Sequence, residues 1–424
     1  MVTYALAVAV PITITGVGVV STFGDSADGF RDALLDGRTG IAPSEEFAAR
    51  NCRSTLAARI AGFDPARWIP PMKLRRMDVT GPLALVVSRQ AMEQAKYVVA
   101  PEGDDRAGVV LGTCSAGGQA TTEYLTALFS GGPTGAPALL FNSTVGNAAA
   151  GLAGLEFKLR GPNATISHKE ASSLAAIATA VDLLRLGRAD ALVAGGIESI
   201  YDLFYRVHDR FKVMNDAASP GPATAPFADG RRGFVLGEGG VGLWMEREDT
   251  WRSRGTAALA EILGVGIASA AVPLNAWPDS PEPLVRTMRL ALDDAGVTPD
   301  EVDVVYASAN ATRVLDGVEA AALTDLFGGS RTAVTSIKGA IGESGVGGAA
   351  SVLSAVLCGA VGAIPPIAGL SVPDRAAAAL RLATSTILAP ARLALVNSFA
   401  SGGTLVSLVL RAPAASAAHD GTAG

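Results

Sequence analysis

The amino-acid sequence predicts an α/β protein made of two duplicated halves, each organised on a largely parallel sheet. Three observations point there. Short apolar runs that read as buried strands lead into segments of helical periodicity. That strand–turn–helix order recurs after about 160–170 residues, far too long for a solenoid repeat. Each series then closes on a strand, a glycine turn and a second strand.

The first element along the chain is ITITGVGVV (12–20), apolar on both faces as a buried strand requires. Pro11, Thr13, Thr15 and Gly16 interrupt the apolar N-terminal stretch, and no basic segment precedes it, so a strand is expected here and not a secretion signal or a membrane span. GVVLGT (108–113) reads as the next strand. The helical pattern ASSLAAIATAVDLLRLG (171–187) leads into the strand ADALVAGG (189–196), and GFVLGEGGVGLWME (233–246) closes the series. Near residue 250 the composition turns charged and polar (MEREDTWRSRG), which places the boundary between an N-terminal half, 1–250, and a C-terminal half, 251–411. In the second series VDVVYASAN (302–310) matches the earlier central strand. TSIKGAIGESG (335–345) leads into the helical GAASVLSAVLCGAVGA (348–363), and LALVNSFASGGTLVSLVLR (393–411) is the closing pair. Residues 412–424, APAASAAHDGTAG, have nothing to pack and are expected to form a disordered tail.

Composition narrows the function classes. In 424 residues, 49% hydrophobic and 17% charged residues with 49 glycines describe an apolar globular chain rich in tight turns. A net charge of −6 argues against a nucleic-acid footprint, and no clean apolar run is long enough to span a membrane. Cys52, Cys114 and Cys358 form neither a disulfide framework nor a zinc spacing, which suits a reducing cytoplasmic compartment. The histidines are His168, His208 and His419, so little imidazole is available for acid–base chemistry. His168 is expected to be a packed or interface residue, His208 a surface or lid residue, and Cys114 a small buried hydrophobe.

Three glycine-rich stretches are more specific than the periodicity: PFADGRRGFVLGEGG (226–240), SIKGAIGESG (336–345) and NSFASGG (397–403). With ITGVGVVSTFGD (14–25), RTGI (38–41), GPNATIS (161–167) and AGG (194–196), they resemble the β-ketoacyl synthase family of fatty-acid and polyketide synthesis over residues 12 to 411. The resemblance implies the thiolase fold, two βαβαβαββ halves stacked as αβαβα layers. It also implies a site of one cysteine at a strand-to-helix turn, two histidines and a lysine, with no cofactor. There the sequence departs from the family. SHKEASS puts Glu170 at the cysteine, YASANAT puts Ser308 at the first histidine and GES puts Glu343 at the second. Lys338 is retained, and Ser401 replaces the gating phenylalanine of the last glycine turn. A carboxylate cannot be usefully acylated by a thioester, because the mixed anhydride is the less stable product.

These losses resemble one branch of the family, the chain length factor or ketosynthase-β subunit of bacterial type II polyketide synthases. That branch pairs with an active ketosynthase-α subunit and shapes the tunnel for a chain carried on the phosphopantetheine of an acyl carrier protein. The resemblance implies tunnel positions at Gly112, Gln119 and Phe204, the segment 161–167 near a dimer axis, and catalysis by the partner alone. Glu170 departs even from this branch, which usually carries glutamine there. Other readings stay open: a malonyl decarboxylase using Glu170 or Asn310, a purely structural partner, or a homodimeric condensing enzyme. A carboxylate beside a malonyl carboxylate is electrostatically unfavourable, which weighs against the first. Glu170, Glu343 and Lys338 are expected to meet, with Lys338 paired to at least one carboxylate.

Overall fold

The structure is a computed structural model that describes residues 11–75 and 77–413. His419 and the expected tail from residue 414 lie outside the described residues. Ala412, assigned from sequence to that tail, is instead packed, and its N–H donates to Arg392 O at 2.8 Å.

Eleven strands form the main sheet: β1 (Ile12–Val20), β2 (Ala107–Gly112), β3 (Asn163–Ile166), β4 (Ala191–Glu198), β5 (Gly239–Arg247), β6 (Ala260–Ser269), β7 (Val304–Tyr306), β8 (Ala333–Thr335), β9 (Arg381–Leu382), β10 (Leu393–Phe399) and β11 (Thr404–Arg411). Their spatial order is β9-β8-β7-β10-β11-β6-β1-β5-β4-β2-β3. The duplication is explicit in the pairing. β1-β5-β4-β2-β3 run antiparallel, antiparallel, parallel, parallel, and β6-β11-β10-β7-β8 repeat that pattern. The halves join where Ile12, Thr13 and Ile14 of β1 pair with Ile262, Glu261 and Ala260 of β6.

The helices that build the layers and the cavity wall include α1 (Thr80–Gln94), α2 (Gly118–Gly131), α3 (Ala148–Phe157), α4 (Ser172–Arg185), α5 (Asp202–Arg210), α6 (Glu282–Ala295), α7 (Arg313–Phe327) and α8 (Gly347–Ala360). The layers follow from which face of each strand is apolar. In β4, Leu192 and Ala194 pack towards α4 and α8, while the intervening Val193 packs towards α1 and α3. β10 does the same, with Ala394 and Val396 facing inward and Leu395 facing α6 and α7. Alternation along strands covered on both sides yields the αβαβα stacking expected from the sequence. No helix among the described residues is long and apolar enough to cross a membrane.

The middle layer is the tightest part. A Cβ on Gly348 of α8 would lie 2.7 Å from Leu174 Cβ, so only glycine lets the two central helices approach this closely. Leu174 is fully buried there. Leu174→Ala is expected to lower stability by about 2–5 kcal/mol, read as a lower urea midpoint with an unchanged slope.

Candidate functional site

Two corresponding turns, one per half, build the site. β3 ends at Ile166 and the chain passes through Ser167 and His168 into a single 3-10 turn, Lys169–Ala171, before α4. In the second half, β8 leads through the short turn Lys338–Ile341 to Glu343, just before α8. The Ser173 N–H donates to Gly345 O and the Ala349 N–H donates to Ser173 Oγ, each at 3.0 Å. Glu170 and Glu343 therefore open on one cavity of about 640 Å³.

Lys338 lies behind that cavity, only 4% exposed. Its Nζ donates to Glu343 Oε2 at 2.7 Å and to Ser308 O at 2.8 Å, and Asn310 Nδ2 donates to the same Glu343 oxygen at 2.7 Å. Glu343 Oε1 accepts from the Ser344 N–H at 3.0 Å. Burial pushes the Glu343 carboxyl up and Lys338 pulls it back. Lys338 thus pairs with Glu343, while Glu170 makes other bonds. The Glu170 carboxylate accepts from Ser401 N at 3.2 Å and from Ser401 Oγ at 3.1 Å, and Ser401 Oγ accepts from Lys169 Nζ at 3.1 Å. Ser308 is fully buried, and its Oγ accepts from the Phe399 N–H at 2.9 Å.

The tunnel expectations divide. Phe204 on α5 lines the cavity, together with Phe211, Phe234 and Trp277. Gln119 does not line it; it is half-buried on α2 and donates to Glu123. Gly112 has to be corrected. A Cβ there would sit 2.3 Å from the Ser172 backbone, so this glycine seats β2 under the first turn of α4 and leaves no room for a tunnel wall. Cys114 is also corrected, from packed hydrophobe to half-buried cavity residue, with its N–H on Glu198 Oε2 at 2.8 Å. Burial first, then Glu198 and Glu170, push its thiol up and disfavour a thiolate. His168 is exposed, and its N–H donates to Ser172 Oγ at 2.9 Å. His208, expected to be a surface or lid residue, lines the cavity.

The sequence matches the N-terminal domain of beta-ketoacyl synthases over residues 9–250 and their C-terminal domain over residues 259–371. The chain belongs to the beta-ketoacyl synthase family. It is 30% identical over 413 residues to "3-oxoacyl-[acyl-carrier-protein] synthase 2" of Coxiella burnetii (strain RSA 493 / Nine Mile phase I), covering 94% of this chain and 98% of the relative. It is 31% identical over 372 residues to the "Tetracenomycin polyketide synthase ketoacyl synthase beta subunit" of Streptomyces glaucescens, covering 86% and 89%. Among solved structures, a beta-ketoacyl synthase from Burkholderia phymatum STM815 superposes with a TM-score of 0.88 at 26% identity, over 95% of this chain and all of that one. The ishigamide ketosynthase/chain length factor gives 0.87 at 25% identity, over 96% and 100%. The fold of this beta-ketoacyl synthase family member is therefore the thiolase-type one.

Three buried carboxylates that the sequence reading did not single out support the family site from behind. Glu198 accepts from the N–H groups of Ser115 at 3.0 Å and Gly345 at 3.2 Å. Asp316 accepts from Phe227 N at 2.8 Å and Asn310 N at 2.9 Å. Glu319 Oε1 accepts from Ser308 N at 2.9 Å and Asn397 Nδ2 at 3.1 Å, while its Oε2 has no partner among the described residues. The i,i+3 spacing of Asp316 and Glu319 on one face of α7, beneath Ser308, is the signal that could have found two of them.

Burial raises Asp316 to about 6 and Glu319 to about 7, from 3.8 and 4.5. Folded values above the unfolded ones make this contribution to stability fully present below about pH 4 and lost as pH rises through 6 to 7. Urea unfolding of Glu319→Gln and wild type at pH 5 and pH 8 is expected to show the variant gaining stability relative to wild type at the higher pH. An equal difference at both pH values would count against a raised Glu319.

Proposed function

We propose that this chain is a non-condensing chain length factor subunit of a type II polyketide synthase. It pairs with an active ketosynthase-α subunit and borders the tunnel for the growing chain, and the partner's cysteine carries out condensation on chains delivered by an acyl carrier protein. The observation that carries this reading is Glu170, a carboxylate held by Ser401 at the turn where the family places its nucleophile. The thiol lining the cavity, that of Cys114, is held in its unreactive protonated form by burial and neighbouring carboxylates. Lys338, which could stabilise developing negative charge, is already bonded to Glu343.

The surface supports a partner. β3 is the outermost strand of the sheet, only partly buried, with one edge unpaired. Near it in the chain, Leu125, Phe129, Leu139, Phe141 and Leu155 are exposed, apolar side chains available to a partner. An interface above ~2,000 Å² that includes residues 161–167 is expected. The same reading divides the chain into halves at about residue 250 and places the complex in the cytoplasm. The ketoacyl synthase beta subunit of S. glaucescens and the ishigamide ketosynthase/chain length factor, both similar over most of the chain, favour this branch. A malonyl decarboxylase has less support, because Asn310 Nδ2 is committed to Glu343 and the carboxylates of Glu170 and Glu343 face the same cavity.

In this reading Phe204 borders the tunnel inside the cavity, and Gln119, which lies outside the cavity on α2, borders it on the side facing the partner. Gln119→Trp, in complex with an active ketosynthase, is expected to shift products to shorter chains while the first condensation keeps its rate, because overpacking a tunnel wall costs ~1–3 kcal/mol. An unchanged chain-length distribution from a correctly assembled complex would favour a purely structural partner instead. Glu170→Ala is expected to reduce the thermal midpoint or the yield of the complex more than its turnover. Normal assembly with condensation lost would put Glu170 in the chemistry.

A further inference from the structure

Beside Phe204, the cavity wall carries a polar ring that the proposed function does not use. His208 stands one helical turn after Phe204 on α5, so both side chains face the cavity. Its Nδ1 lies 2.8 Å from Phe204 O. A carbonyl oxygen only accepts, so Nδ1 carries the hydrogen. The ring is set edge-on to Phe204 at 4.4 Å and to Phe234 at 6.3 Å between centroids. Burial, and to a lesser extent the Lys169 ammonium that lines the same cavity, push its pKa down and favour the neutral ring. A neutral imidazole with hydrogen on Nδ1 has a lone pair on Nε2, and among the described residues no group donates to it.

We propose that His208 Nε2 is the hydrogen-bond acceptor for a ligand in this cavity, and that the ligand is an uncharged, flexible apolar chain bearing an amide N–H or a hydroxyl. The aromatic wall of Phe204, Phe211, Phe234 and Trp277 takes the apolar part. Glu170 and Glu198 disfavour an anion, and the lone pair of Nε2 beside aromatic rings calls for a neutral donor. A ligand that covers Nε2 without offering a donor takes away its access to water, which selects for a donor on the ligand. The inference rests on the proposed function only in requiring that a carrier-borne chain reaches this cavity. The donor then comes either from the amides of the carrier's arm or from a hydroxyl on the growing chain.

The test uses the full-length protein with three probes: pantetheine, which has amide and hydroxyl donors; methyl 3-hydroxyoctanoate, which has a hydroxyl; and methyl octanoate, which has neither. Calorimetric titration is expected to show a donor-bearing probe binding roughly three- to tenfold more tightly than methyl octanoate. Preference for pantetheine assigns the contact to the carrier's arm, and preference for the hydroxyester assigns it to the growing chain. His208→Phe is expected to lose the preference and His208→Gln, which keeps an acceptor, to retain it. In nitrogen-15 spectra of the wild-type ring, saturation with the preferred probe is expected to lower the His208 pKa further than saturation with methyl octanoate does, a difference that mere covering of the ring would not show. A folded His208→Phe variant that keeps the preference, a ring pKa lowered no further by the preferred probe than by methyl octanoate, or no preference in the wild type would each overturn the assignment. Probe preferences as expected, with product length unaffected by Gln119→Trp, would uphold His208 and count against chain-length control.

Discussion

The first turns of α4 and α8 are tied together at Ser173, Gly345 and Ala349, with Gly348 allowing Leu174 against the α8 backbone. Because each helix begins immediately after a strand-to-helix turn, this contact forces both turns to face one cavity. It also brings two helix N-termini together, each at the positive end of its helix dipole. A carboxylate is compatible with such a place. Glu170 and Glu343 can thus occupy the turns without disturbing the stacking of the two halves, at positions where the resemblance implies the family's nucleophile and second histidine.

In the proposed reading, the charges behind the cavity bear on both the absence of condensation and the stability of the site. Lys338 is neutralised by Glu343, and the pair is further bonded to Asn310 and Ser308, so neither charge is left alone in the interior. The same satisfaction removes the lysine as a stabiliser of negative charge developing on a substrate. At Glu170, the bonds from Ser401 and the chain from Ser401 to Lys169 join the turn before α4 to the turn after β10. Where the family resemblance implies a phenylalanine gate, this chain has a polar tie between its halves.

Elements with one strong period were legible in the sequence. The strand at 12–20 is Ile12–Val20, and the helix expected over 171–187 runs Ser172–Arg185. The turn positions 170 and 343 also converge, because each is fixed by a local strand–turn–helix pattern. What escaped was set by contacts between distant segments. The resemblance implies a tunnel position at Gly112, yet its neighbour is the backbone of Ser172, sixty positions along the chain. Asn275 reaches Lys169 from a loop that carries no motif. His208 was legible in principle: helical spacing places it on the face of Phe204, the residue already expected to look inward.

The most direct measurement is the location of the acyl group in the assembled complex. The chain, paired with a cysteine-bearing ketosynthase, would be incubated with an acyl carrier protein loaded with a starter unit, and each subunit weighed intact by mass spectrometry. A non-condensing role requires the acyl mass on the partner alone, and its disappearance when the partner's cysteine is replaced. An acyl adduct on this chain, whether at Cys114, Ser401 or Glu170, would contradict it.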